Sequence, residues 1–403
     1  MLFEHTDDAW MILFFIIYGV TGAVPLIAAL YLLLRRGNAF APEVTPPVRL
    51  RHWAAAFFGV SALGHVWWYF VYITSADCHS MGDLLHSAGY VTAVALDFVT
   101  LQTTIAGVLL AMLQDRPRPV WPAFVATIPF MALCVALLVS PSYRLLQAAT
   151  AYVLLLYALF TLYVAFAVRQ YGRWLRDNYA DLERKEVWQS HVLTVVFLLL
   201  FIFYALIDSS VALLFVLHLI ELVLFVLLLW RVETLPQLTI DGDGGQTDSP
   251  AAAADTETAQ ADSPAAAEAA EAAEGGSPSP DTLSDDAYEE ITLLLQKHCI
   301  DTGLYLQHDL NKAQVAKAIG TNRTYLSLYF MRKETTYNAY INNLRIRHFI
   351  GLYREAVAAQ RPVVVQQLAL MSGYRSYSTF SLAFKQRMGQ NVTAWMRREE
   401  MEA

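Results

Sequence analysis

The sequence predicts an all-α protein in three parts: a seven-helix transmembrane bundle over residues 1–235, a disordered acidic linker over 236–283, and an all-helical double helix-turn-helix module over 284–403. The chain is 56% hydrophobic and only 16% charged, a balance that places part of it in lipid. The charge is segregated. Residues 236–284 hold ten Asp/Glu and no Lys/Arg, whereas 311–398 carry 14 Lys/Arg against only Glu334 and Glu355. A basic module on a chain of net charge −8 points to a polyanionic partner for that module alone. Cys78, Cys134 and Cys299 are too few and too scattered for a disulfide framework or a cysteine zinc site.

Seven apolar runs follow one another at about 10–34, 52–73, 87–113, 120–139, 144–168, 187–207 and 210–231. At ~1.5 Å per residue each can cross a hydrocarbon layer of ~30 Å. Only Asp208, Ser209 and Ser210 separate the last two, so these form a helical hairpin. Arg35, Arg36, Arg49, Arg51, Arg116, Arg118, Arg169, Arg173, Arg176, Arg184, Lys185 and Arg231 all fall on one side of this threading, and Arg144 alone on the other. The positive-inside rule then puts the N-terminus outside and the C-terminal module in the cytoplasm of a bacterium, below its inner membrane. Residues 1–8 have no basic region, so no cleaved signal peptide is expected. Pro25, Pro122 and Pro129 are expected to kink or start spans. Trp67, Trp68, Tyr69, Phe70 and Tyr72 suit an interfacial belt, or else a pocket lining.

Polar residues inside spans are functional candidates by default. His65, Asp97 and His218 each lie about eight to ten residues deep from the outer end, and Glu221 shares a helix face with His218. Three readings stay open for these four side chains: a pocket sensing protons or a small-molecule or lipid ligand, a metal site, and hydrogen bonding that holds helices together. Ser61, His65, Asp97 and His218 also loosely resemble the pattern of a seven-span family of metal-dependent hydrolases. That resemblance implies, as an alternative function, a membrane hydrolase coupled to the C-terminal module. The family's paired His-x-x-x-His in the last span is absent, since residue 222 is Leu.

Residues 236–283 are Ala, Asp, Glu, Gly, Ser and Pro-rich without an aromatic side chain, a composition that cannot build a core. Such a flexible chain spans roughly 35–42 Å on average. Beyond it, Ser284 is placed to cap a helix over 285–299, and helices are expected over 311–319, 323–332, 337–358 and 364–371. Gly320-Thr321 turns the chain between the second and third of these, with Asn322 as the next cap. Gly373 precedes Ser376, the cap of a last helix that places Phe380 and Phe384 on one face. Its other face carries Tyr377, Ser378, Ser381 and Lys385, with Arg375 just ahead. Two helix-turn-helix units therefore flank a rod of ~33 Å, close to the ~34 Å repeat of DNA.

The stretch 373–389, together with Asp309-Leu310, Tyr325-Leu326, Phe330 and Tyr340-Ile341-x-x-Leu344-Arg345-Ile346, resembles the signature of the AraC/XylS family of transcription regulators. The resemblance covers about 285–398. It departs at Thr335-Thr336, where a Gly is expected, at Val392 in place of Pro, and at Trp395-Met396 in place of Tyr-Arg. It implies double-stranded DNA and RNA polymerase as partners; a second copy of the chain is a separate candidate partner, and neither a cofactor nor an enzymatic activity is expected. It places DNA contacts at Arg323, Thr324, Ser327 and Leu328, and at Arg375, Tyr377, Ser378, Thr379 and Leu382. Leu328 and Leu382 could instead pack. Lys385, Arg387, Arg345 and Arg347 are expected on phosphates.

Overall fold

The computed structural model describes residues 8–35, 37–74, 87–182, 185–187, 192, 196, 211–238 and 283–402. The described residues are helical, with no β-strand beyond one antiparallel bridge between Tyr179 and Asn311. They divide into two compact units: Met1–Leu175 with Arg184–Thr239, and Arg176–Glu183 with Ile240–Ala403.

The first unit contains α1 (Asp8–Leu34), α2 (Val48–Thr74), α3 (Ala88–Met112), α4 (Trp121–Val125), α5 (Ile128–Val139), α6 (Tyr143–Asn178) and α7 (Val211–Thr234); the last three residues of α6 belong to the second unit. Among the described residues six stretches are long and apolar enough to cross a membrane, α4 and α5 together counting as one. The expected span over 187–207 lies almost wholly outside the described residues. Helix α2 packs between α1 and α3, and α7 lies against α1. Outward-facing Ile12, Ile27, Leu33, Phe70 and Phe166 stay exposed, as lipid-facing side chains must. Pro122 and Pro129 sit in the first turns of α4 and α5, where a missing N–H costs nothing. Between these two helices the Ala126 carbonyl accepts from the Tyr152 hydroxyl at 2.6 Å. Pro25 lies inside α1.

Several arginines counted for orientation are ties rather than solvated charges. Arg118 is buried and pairs with Asp115 at 2.6 Å, while Arg49 donates to its carbonyl. Glu233, fully buried near the end of α7, accepts from Tyr31 at 3.0 Å and lies 3.5 Å from Arg51 Nε. Residues 236–238, expected to begin the linker, pack here too: Gln237 N–H donates to Thr45 O at 2.8 Å and Leu238 N–H to Gln114 Oε1 at 2.8 Å.

The second unit contains α8 (Asp285–Leu295, continued by a π turn to Ile300), α9 (Lys312–Ala318), α10 (Arg323–Arg332), α11 (Tyr337–Ala358), α12 (Val365–Met371), α13 (Tyr377–Met388) and α14 (Val392–Glu402). Side chains of Ser284, Asn311, Asn322, Thr336 and Ser376 accept from backbone N–H groups of the first turn, so five of these helices start on a capping residue. Two cores form on one shared helix. Tyr337 and Ile341 of α11 join Leu295, Leu310, Val315, Leu326 and Phe330. Ile346, Phe349 and Tyr353 join Tyr374, Phe380, Phe384 and Trp395. Val392 and Trp395, two of the positions that depart from the expected motif, are both buried in the second core. Glu334 takes the left-handed conformation after α10.

The loop 304–309 joins the two cores through Arg345. Its guanidinium is buried, donating to Tyr305 O at 2.8 Å and Gln307 O at 2.7 Å, with the Tyr374 ring over it. This corrects the expectation of a phosphate contact: the group is spent on two carbonyls that would otherwise be orphaned. Gly373, at φ 86°, packs against the same loop, where a Cβ would meet Leu306 O at 2.7 Å. Arg345→Met is expected to cost about 2–4 kcal/mol by leaving two buried acceptors unmet. Gly373→Ala is expected to cost at least ~2 kcal/mol by clash and backbone strain. Denaturant unfolding of the purified protein, followed by helicity, measures both.

Candidate functional site

The first candidate lies where α1, α2 and α7 meet. The rings of His65 and His218 are 6.2 Å apart, edge to face, with the Tyr18 ring 4.8 Å from one and 5.7 Å from the other. Tyr18 donates to His65 O at 2.7 Å. Gly22 makes room for this approach, since a Cβ there would lie 3.3 Å from the His65 ring. Nδ1 of His65 is 2.9 Å from Ser61 O, and Nδ1 of His218 is 2.8 Å from Leu214 O. A carbonyl only accepts, so both Nδ1 atoms carry hydrogen and, in the neutral rings, Nε2 is the acceptor.

Nε2 of His65 faces Thr21 Oγ1 at 3.0 Å, and the same hydroxyl is 3.0 Å from Ile17 O. Thr21 has one hydrogen to give. It goes to His65 when the ring is neutral and to Ile17 O or Tyr18 O, both at 3.0 Å, when the ring is protonated and donates instead. The charge on one imidazole thus decides whether the Thr21 hydroxyl donates across to α2 or back into α1.

Asp97 on α3 is held differently. Oδ1 accepts from Trp67 Nε1 at 2.9 Å and Oδ2 accepts from Trp68 Nε1. Two of the five aromatic residues read as an interfacial belt therefore line the interior and clamp a carboxylate, because neighbouring residues on α2 straddle the α3 face. Tyr69, Phe70 and Tyr72 are exposed. Glu221 is within electrostatic range of Asp97. Among the described residues no three His, Cys, Asp or Glu side chains could share a metal ion. The metal-dependent alternative therefore lacks a ligand set among them, with Asp97 committed to indoles rather than to the histidines.

The second candidate is the polar surface of α10 and α13. On α10, Thr324 is exposed and Arg323 half-buried, its Nη2 donating to Asn178 Oδ1 at 3.2 Å. Ser327 is partly enclosed, donating to Arg323 O at 2.7 Å and accepting from Lys312 Nζ at 2.7 Å. Leu328 packs against the first core, which favours the packing alternative for this residue. On α13 and its approach, Arg375, Tyr377, Ser378, Leu382 and Lys385 are exposed, and Thr379 is half-buried. Leu382, 61% exposed, does not pack inward. The hydroxyls of Ser378 and Thr379 lie 3.0 and 2.9 Å from Ser376 Oγ, so both are tied to the helix cap. Arg375 pairs with Asp309 at 3.3 Å across the surface, a weak tether that a phosphate could replace. Arg387 donates to Asn343 at 2.9 Å, and Arg347 is exposed.

No family model matches the chain, and neither a curated protein nor a solved structure is detectably similar to it.

Asp97→Leu is expected to destabilise the first unit by about 1–3 kcal/mol, since two half-buried indole donors lose their acceptor. Tryptophan emission and thermal unfolding in detergent check this. Thr21→Val is expected to remove the protonation-dependent rearrangement while leaving the fold intact. Nitrogen chemical shifts of labelled His65, followed across a pH titration, read it directly.

Proposed function

We propose that the chain is a membrane-embedded one-component transcription regulator of the bacterial inner membrane. Its apolar helices sense a membrane or periplasmic signal, and its C-terminal unit binds promoter DNA in the cytoplasm. The observation that carries the reading is the pairing of α10 and α13. Each follows a short turn and a capping residue, each buries aromatic residues inward, and each serves a core on its own half of α11. The 22 residues of α11 measure ~33 Å, so two such helices suit successive major grooves on one face of the duplex. The surplus of cationic side chains between 311 and 398 supplies the phosphate attraction. The resemblance of 373–389 to the AraC/XylS signature favours the same assignment and carries the expectation of RNA polymerase as a partner. The one-sided distribution of loop arginines favours a cytoplasmic location for the DNA-binding unit.

On the sensing side, the pair His65 and His218, with Thr21 and Tyr18, is the part of the first unit whose hydrogen bonding changes on gain of a proton or polar ligand. The reading favours a proton or a small polar ligand as the signal.

Selection of duplexes from a random pool by the full chain in nanodiscs tests the DNA assignment. Ser378→Ala and Leu382→Ala are expected to alter the selected sequence, each by about 1–3 kcal/mol at the affected base. Lys385→Ala is expected to weaken all duplexes alike and to lower the salt slope by about 1. Equal effects of all three on every sequence would reject this division of labour, and recovery of no sequence preference at moderate salt would reject the function.

A further inference from the structure

The second unit contains a piece of chain from far upstream, and that piece sits on the helix assigned to DNA. Residues 179–182 follow directly on a membrane-length helix, α6, whose last three residues up to Asn178 belong to the same unit. Ala180 N–H donates to Leu310 O at 3.1 Å, and Tyr179 bridges to Asn311 as an antiparallel pair. The Ala180 carbonyl accepts from Asn338 Nδ2 at 2.7 Å and from Asn342 Nδ2 at 3.3 Å. The Tyr179 carbonyl also accepts from Asn338, at 3.2 Å. Ala180 is 2% exposed and belongs to the first core. A backbone pair, two asparagine side chains and a filled core position together make a built seat for an extended peptide.

The seated segment bears on the DNA face of α10. Asn178 Oδ1 accepts from the Arg323 guanidinium, the group the proposed function puts on DNA. Asp177 lies close enough to influence Lys312, and Asp181 close enough to influence Arg345. Burial pulls the Lys312 ammonium below its ordinary range, Asp177 pushes it back up, and Arg323 beside it lowers it further. A carboxylate and an amide oxygen therefore occupy the electrostatic places that backbone phosphates would take around the start of α10. Asparagines at 338 and 342, one turn apart on α11, both donate to this segment's carbonyls, and Asn342 also donates to Asn338 O at 3.0 Å.

We propose that residues 178–181 are an internal competitor of DNA: seated between Leu310 and α11 they hold Arg323 off the duplex, and their withdrawal frees α10 to bind. The proposal rests on the DNA-binding reading above. It assigns that reading a control point: a pull on α6 unseats the segment without any change in the second unit's own helices.

The test uses the full chain in nanodiscs with Cys78→Ser, and random-sequence duplex DNA at low salt as probe. Tyr179→Cys with Asn311→Cys joins the bridged pair, whose spacing suits a disulfide. Native Cys299 does not interfere, its thiol being pushed up by burial to about 11. Ala180→Pro, which deletes the donor to Leu310, is the released form. The disulfide is expected to form without DNA and to weaken DNA retention roughly tenfold, with full recovery on reduction; Ala180→Pro is expected to strengthen it by a similar factor, about 1.4 kcal/mol. Because the lock is reversible in one sample, a folding defect in either variant does not mimic the result. Failure of the disulfide to form, or formation with unchanged retention, overturns the proposal and leaves the DNA-binding reading standing. No retention by any form, released and reduced included, removes both.

Discussion

One buried guanidinium holds the C-terminal unit together. Arg345 stands on α11 between the residues that serve the first core and those that serve the second, and it spends its donors on Tyr305 O and Gln307 O. That loop then reaches across: Leu306 abuts Gly373, His308 is 3.2 Å from Gly373 O, and Asp309 pairs with Arg375. Two small cores that meet only along one helix would twist freely without such a strut. A charged group at the joint is costly to bury unless its donors are met, and here most of the cost is offset by carbonyls that have no other partner.

The first unit solves the same problem with neutral and paired groups. Where lipid supplies no hydrogen bonds, each polar side chain must find its partner in protein. Asp97 finds two indoles, Glu233 finds Tyr31 and Arg51, and His65 finds Ser61 and Thr21. Of these only Thr21 faces backbone acceptors, Ile17 O and Tyr18 O, and at the same distance a ring nitrogen that can change character. The others are static fasteners. This separates the histidines from the carboxylates more sharply than their common depth in the sequence suggests.

Much of the architecture was legible in the sequence because it depends on short-range chemistry. Ser284, Asn322 and Ser376 announce helix starts, Gly320 and Gly373 announce turns, and Phe380 with Phe384 announces a buried face; α8 to α13 lie where those signals put them. The apolar runs likewise announce helices of membrane length, although the stretch 187–207 lies outside the described residues. What was not legible depends on partners distant in the chain. Arg345 lies in a basic helix and reads as a phosphate contact until Tyr305 and Gln307 are placed beside it. Trp67 and Trp68 read as an interfacial belt until α3 brings Asp97 between their indoles. The role of 178–181 had no local signal at all: Asn-Tyr-Ala-Asp reads as an ordinary loop between spans.

The seat of that segment also sets an order of assembly. Ala180 pairs with Leu310 and Asn338, which are made 130 and 158 residues later. Closing contacts of such long range is slow and falls at the end of synthesis. Helix α6 is made well before residues 283–402, so the first core of the C-terminal unit is completed by a segment that precedes the rest of that unit in synthesis. A C-terminal fragment cut free within the acidic stretch 239–282 would carry α8 to α14 but leave the place of Ala180 open. On the proposed membrane reading, the first core of the C-terminal unit closes only after α6 has been made and inserted.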